Sequence, residues 1–191
     1  MDYKTFYKNV TDWGDIRGMY QESDAVNQAA KALEEVGEFL VAEQDKKLAI
    51  TDTQLETAIG DLKDAIGDTV VCLIHAFNFV NLYEQHGYME DGVLKNVFNP
   101  DKNHQRPPQI TIMLASSLIC GGHYGSAITI MTYIAEGLGY PIEECYQKAW
   151  DAIKDRKGMF INKKYVKWDN LNPSQRQELS ERLEGHIKLN S

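Results

Sequence analysis

The chain predicts an all-α protein. Three observations carry that expectation: apolar residues recur every three or four positions almost throughout, alternating polarity is nearly absent, and the breaks hold helix-capping residues. At 191 residues it is long enough for one domain with a sizeable core, spanning 1–191, and too short for two full ones without crowding.

Tyr3, Phe6, Tyr7, Val10 and Trp13 share one helical face, which gives a short first helix broken at Gly18. Ser23 or Asp24 can cap a long helix running to about Asp45. The turn from Asp45 to Ile50 is short, so the next helix should pack antiparallel to it. Thr51 with Gln54 has the capping-box pattern and opens a helix reaching about Tyr83. Residues 84–108 carry Gly, Asn, Asp and Pro with little periodicity and read as a loop or insertion. From Gln109 the helical spacing resumes through Ile110, Met113, Leu114 and Leu118. Gly121-Gly122 should kink or split that helix before Ile128, Met131, Ile134, Ala135 and Leu138 continue it to Gly139.

Pro141 suits the first turn of the next helix, with Glu143 and Glu144 at its positive end and Lys154, Arg156 and Lys157 closing it before Gly158. Phe160 to Trp168 is the one hairpin candidate, and Asn172-Pro173 opens a last amphipathic helix with Leu179, Leu183 and Ile187 on one stripe. The core is thus expected at about 10–82 and 109–168, with an appendage at 169–191.

A net charge of −8 and a pI near 5.1 argue against non-specific binding to nucleic acid or an anionic membrane, which demands clustered Lys and Arg. A nucleotide is a different ligand, because a divalent cation can neutralise its phosphates against an acidic site. The segment after Met1 lacks the charged-then-apolar pattern of a signal peptide. The most apolar run, Val70 to Leu82, is interrupted by His75, Asn78 and Asn81 and falls short of the ~20 residues that span a bilayer. The expectation is a soluble cytoplasmic protein. Cys72, Cys120 and Cys145 sit in apolar helical surroundings and read as reduced core thiols. Cys72 with His75 and Cys120 with His123 have zinc-ligand spacing, but both pairs sit in apolar helical stretches where Cys and His are ordinary packing residues, and packing is the preferred reading.

Glu34-Glu35-Val36-Gly37-Glu38 and Asp64-Ala65-Ile66-Gly67-Asp68 hold the candidate chemistry. Residues three and four apart share a helix face, so each segment presents its carboxylates together, and like charges at that spacing cost a few tenths of a kcal/mol. A Glu-rich face is ordinarily only solvated surface. Here the carboxylates border apolar stripes, Leu33, Val36 and Leu40 on one helix and Leu62, Ile66, Val70, Leu73 and Phe77 on the next. Gly37 and Gly67 lie beside them in mid-helix, where glycine costs about 1 kcal/mol against alanine and points to close helix contact. Five carboxylates on two such helices suggest a cation between them, and oxygen donors suit Mg²⁺ or Mn²⁺.

Four segments in order, Trp13-Gly14-Asp15-Ile16-Arg17-Gly18, Lys31-Ala32-Leu33-Glu34-Glu35-Val36-Gly37-Glu38, Lys63-Asp64-Ala65-Ile66-Gly67-Asp68 and Ala149-Trp150-Asp151-Ala152-Ile153-Lys154-Asp155-Arg156-Lys157-Gly158, resemble the MazG-like nucleoside triphosphate pyrophosphohydrolases, particularly the small bacteriophage-type members. The resemblance covers roughly residues 10–82 and 130–168. It implies an all-α, four-helix-bundle-like fold that forms homodimers or homotetramers. It implies hydrolysis of (d)NTP to monophosphate and pyrophosphate by metal-activated water, with Mg²⁺ or Mn²⁺ as cofactor. It also implies a cytoplasmic setting, that of the host cell for a phage protein.

Carried over by position, Glu35, Glu38 and Asp68 match metal ligands, and Glu34 or Glu35 is the candidate for taking the water's proton. Relatives commonly have glutamate where this chain has Ala65; Asp64, four residues before Asp68, is the candidate substitute. Lys154, Arg156 and Lys157 match a phosphate-binding motif, and Asp151 stands where relatives often have asparagine. Alternatives are an enzyme of narrow dUTP or dCTP preference and a weakened nucleotide-binding oligomer.

Overall fold

The computed structural model describes residues 1–83 and 108–189. Its helices are α1 (Tyr3–Ile16), α2 (Met19–Glu22), α3 (Ala25–Leu48), α4 (Asp52–Tyr83), α5 (Pro108–Cys120), α6 (Tyr124–Gly137), α7 (Ile142–Ile153) and α8 (Pro173–Leu189). A two-stranded hairpin, β1 (Gly158–Ile161) and β2 (Lys164–Lys167), separates the last two. The expected all-α class with a small hairpin and a terminal helix is what the chain forms.

Local chemistry sets the boundaries. Asp2 caps α1 by accepting from the Thr5 amide at 2.9 Å, and Gly18, with φ +73°, turns the chain out of it. Asp24, rather than Ser23, caps α3, accepting from Asn27 N at 2.8 Å. The capping box before α4 forms as expected: Gln54 N donates to Thr51 Oγ1 at 3.2 Å and Gln54 Oε1 accepts from Thr51 N at 3.1 Å. Gly121-Gly122 splits the helix rather than kinking it, because Gly122 takes φ +75° and His123 N closes the end of α5 onto Leu118 O at 2.8 Å.

The 32-residue α4, about 48 Å long, is the central element. It pairs along its length with α3 and packs against α6 and α7, while α5 returns to α3 and α1 lies across α4 and α7. Leu62, Ile66, Val70 and Leu73 are all fully buried, as their spacing predicted; Phe77 is half-buried. The stripe expected on α3 needs correction. Ala29, Ala32, Val36 and Phe39 fill the core, and Leu40 is 43% exposed because Phe39, one position earlier, takes the inward place. The thiols need it too: Cys145 is buried, Cys72 half-buried and Cys120 exposed at the end of α5. His75 is tied through Nδ1, 3.0 Å from the Tyr20 hydroxyl, into a polar chain that continues through Asn78 to Tyr7 and Thr11, while its buried Nε2 has no partner among the described residues.

Two expectations shift at α7. Pro141 sits at the N-cap instead of inside the first turn, and the helix ends at Ile153, so Lys154, Arg156 and Lys157 lie at and beyond its end. The hairpin turns through Asn162 and Lys163 at φ +49° and +68°, a two-residue turn whose twist matches the strands. It pairs Phe160 with Tyr165 and Met159 with Val166. Phe160 and Tyr165 face Trp13 of α1, while Met159 and Val166 join Leu171, Leu179 and Leu183 beneath α8. The α8 stripe is therefore occupied within the chain as far as Leu183; the side chain of Ile187 and the stretch 84–107 lie outside the described residues. Among the described residues no helix is long and apolar enough to cross a membrane.

Candidate functional site

The antiparallel pairing of α3 and α4 brings the two acidic segments together. Glu35 is half-buried, and its pKa is pushed up to about 7, first by burial and then by Asp68 and Glu38, with Lys31 pulling the other way. Asp68 is pushed up to about 6, first by burial and then by Asp64, with Arg156 and Lys148 opposing. Glu38 raises both. Glu35 and Glu38 of α3 and Asp64 and Asp68 of α4 thus form one mutually repelling group, and Asp64 is the carboxylate that acts most strongly on Asp68. Asp68 Oδ1 is buried and has no hydrogen-bond partner among the described residues. Such an atom costs on the order of 1–3 kcal/mol, more when charged, unless something meets it. Among the described residues, no three His, Cys, Asp or Glu side chains close into a ready ion cage.

Glu34 stands apart. Its side chain is 61% exposed and takes the Lys31 ammonium as a partner. Cys72, one turn beyond Asp68, is within the same field: burial first, then Glu35 and Asp68, push its thiol far above the ordinary range. It behaves there as an uncharged wall of the site.

The two glycines differ. A Cβ at Gly67 would lie 2.7 Å from Ala149 Cβ and press on the Cys145 carbonyl, so α4 and α7 touch backbone to backbone beside Asp68. That contact carries the basic end of α7 to the cluster. Among the described residues a Cβ at Gly37 would meet nothing within 4 Å, so the expected second tight contact is not made by them.

Of the residues expected to meet phosphate, Arg156 has its charge felt at Asp68. Lys154 pairs instead with Asp151, which also accepts from Gln147; that pairing holds Asp151 below and Lys154 above their usual ranges. Lys157 is exposed, and its carbonyl accepts from Trp168 N at 3.0 Å. Lys148 was not anticipated from the sequence. Its relation to Asp68 depends on how α7 docks at Gly67, which residue spacing does not reveal.

The donor set is wholly carboxylate, the orphaned Asp68 oxygen is in place, and neighbouring like charges need a counter-charge. Carboxylate oxygens are the donor type a hard divalent cation takes, although among the described residues they do not close into a cage. Comparison with family models, with curated proteins and with solved structures returns no match.

Proposed function

We propose that the chain is a nucleoside triphosphate pyrophosphohydrolase whose site lies between α3, α4 and the end of α7. The observation that carries this is the buried, unpartnered Asp68 oxygen among Glu35, Glu38 and Asp64, with Arg156 and Lys148 acting on it from α7 and the turn that follows. In this reading Glu35, Glu38, Asp64 and Asp68 hold Mg²⁺ or Mn²⁺. The ion, when bound, supplies positive charge against the phosphate oxygens and acidity to a neighbouring water.

The rest belongs to the chain. Glu35, which lines the cluster, is favoured over the solvated, lysine-paired Glu34 for taking the water's proton through an oxygen that the ion leaves free. Arg156 and Lys148 meet phosphate oxygens, and Arg156 also counters the charge that develops at the phosphorus. Attack at the α-phosphorus then leaves monophosphate and pyrophosphate. The replacement of the usual glutamate by Ala65 is answered by Asp64: Ala65 is 3% exposed and packs in the core, whereas Asp64 acts directly on Asp68. The four-helix-bundle-like family architecture, and a homodimer or homotetramer, belong to the same proposal.

The test is pyrophosphate release from a panel of (d)NTPs with Mg²⁺ or Mn²⁺, comparing wild type with Glu38→Gln and Asp68→Asn. Turnover lost in both variants supports the reading. Turnover confined to one pyrimidine nucleotide supports the narrow alternative. Nucleotide binding without turnover supports a weakened binding protein.

A further inference from the structure

We infer that Arg17, together with Trp13, is a positioning residue that aims Arg156 at the acidic cluster, an inference resting on the triphosphate-hydrolysing reading above. A helix leaves its last carbonyls without intrahelical partners, and at a surface water usually takes them. At the end of α7 the Ile153 carbonyl accepts from Arg156 N at 3.0 Å and also from the buried Trp13 of α1, while Arg17, at the end of α1, reaches the Arg156 carbonyl three residues beyond the helix. Trp13 Nε1 donates to Ile153 O at 2.9 Å. Arg17 Nε and Nη2 both donate to Arg156 O, at 3.2 and 2.9 Å, and Nη1 returns to Trp13 O at 3.2 Å.

Arg17 is only 6% exposed, and its guanidinium lies 4.5 Å from the centre of the Trp13 ring. Tyr165 stacks on the same ring at 5.7 Å, Phe160 meets it edge-on at 6.4 Å, and Phe160 N donates to Arg17 O at 2.8 Å. Among the described residues no carboxylate bonds to Arg17. A buried guanidinium given to the Arg156 and Trp13 carbonyls beside the Tyr165 hydroxyl is a costly way to hold the turn after α7, and water would do so more cheaply. What it fixes is Arg156. The backbone of that residue is held by Arg17, and its Nε donates to Ala152 O at 3.0 Å, while its terminal nitrogens make no hydrogen bond among the described residues. Arg156 is thus held at its carbonyl by Arg17 and at Nε by Ala152 O, on the turn that leaves α7 after that helix meets Gly67 beside Asp68. The clamp spares the site the entropy of ordering a long side chain when phosphate arrives.

The experiment measures binding of inorganic tripolyphosphate with Mg²⁺ by calorimetry, and kcat and KM for (d)NTP, in Arg17→Lys, Arg156→Gln and the double variant. Lysine keeps the charge but cannot reach one carbonyl with two donors. The expected result is that Arg156→Gln weakens tripolyphosphate binding about tenfold, Arg17→Lys about three- to tenfold, and the double variant no more than Arg156→Gln alone. A merely structural Arg17 would lower the melting temperature and leave binding losses that multiply in the double variant, which overturns the inference. Wild-type binding by Arg17→Lys, with Arg156→Gln weakened, overturns it while leaving the hydrolase reading intact. Wild-type binding by Arg156→Gln removes the phosphate role of Arg156 and this inference with it. Should Arg17→Lys not melt cooperatively, Trp13→Phe, which deletes the other capping donor and keeps a ring, takes its place in the same cycle with the same outcomes.

Discussion

Neutralising Glu35 and Asp68 should change how the stability of the ion-free protein depends on pH. Both carboxyls have folded pKa values above their ordinary ones, about 7 against 4.5 for Glu35 and about 6 against 3.8 for Asp68. The folded state therefore binds these protons more tightly than the unfolded chain. Stability from them is complete below about pH 4 and is lost as pH rises through about 6 to 7. Between about pH 5 and pH 8, Asp68 loses one pH unit of linkage, about 1.4 kcal/mol. Glu35 loses two units, which its half-exposed position reduces to about 1.4 kcal/mol. Together they remove about 2–3 kcal/mol on going to the higher pH.

His75 acts in the opposite sense. Burial holds its pKa down at about 3 instead of 6.5, so the unfolded chain binds its proton first as pH falls. That contribution is present above about 6.5 and declines below it, giving about 2 kcal/mol between about pH 8 and pH 5. The two effects nearly cancel, and the wild type should be almost flat across the window. The variant Glu35→Gln/Asp68→Asn keeps only the histidine effect and should gain about 2 kcal/mol from about pH 5 to pH 8, equivalent to roughly 4–8 °C in Tm for a chain of this size. Urea unfolding with chelator present at several pH values measures both curves. Parallel curves would refute the reasoning, because Glu35 and Asp68 would then not be a desolvated, mutually repelling pair.

The glycine pair gives opposite signs: Gly67→Ala must push α4 from α7 at the Cys145 carbonyl and should cost about 1–3 kcal/mol, whereas Gly37→Ala meets nothing among the described residues and should gain about 0.5–1 kcal/mol of helix propensity, both read by urea unfolding. A destabilised Gly37→Ala would mean that the face beside Glu38 is covered in solution, as in an oligomer. Lys163→Gly relieves φ +68° but also removes the Lys163 bond to Asp24 at 2.6 Å, so in the Asp24→Asn background, where that ion pair is already gone, it should stabilise by roughly 0.5–1 kcal/mol; an unchanged Tm there would count against the turn geometry.

Most element boundaries were legible because they are local. The Thr51/Gln54 box, the Asp24 cap, the Gly18 and Gly122 turns and the hairpin need only neighbouring residues, and the chemistry of each is in the sequence. The acidic pairing was legible for the same reason, since helix spacing puts Asp64 and Asp68 on one face and a short turn folds α4 back on α3. What failed depends on distant partners. Spacing allows either Phe39 or Leu40 to point inward, and the packing of α4 decides for Phe39. Mid-helix glycine signals the same thing at Gly37 and Gly67, yet among the described residues only Gly67 has a helix against it. Lys154 is a local case instead: Asp151, three residues before it, takes its ammonium, a pairing that i, i+3 spacing allows. Arg17 and Trp13 lie far from the end of α7 in sequence, and no local rule announces their bonds to it.

Magnesium binding in the absence of nucleotide, followed by calorimetry on wild type, Glu38→Gln and Asp68→Asn at about pH 8, where Glu35 and Asp68 are both charged, most directly tests whether these carboxylates act as one cation site. The account predicts saturable binding by the wild type, at least tenfold weaker in either variant, with protons released when binding is repeated at about pH 6. Equal affinity in all three proteins, or no binding by any, would contradict it.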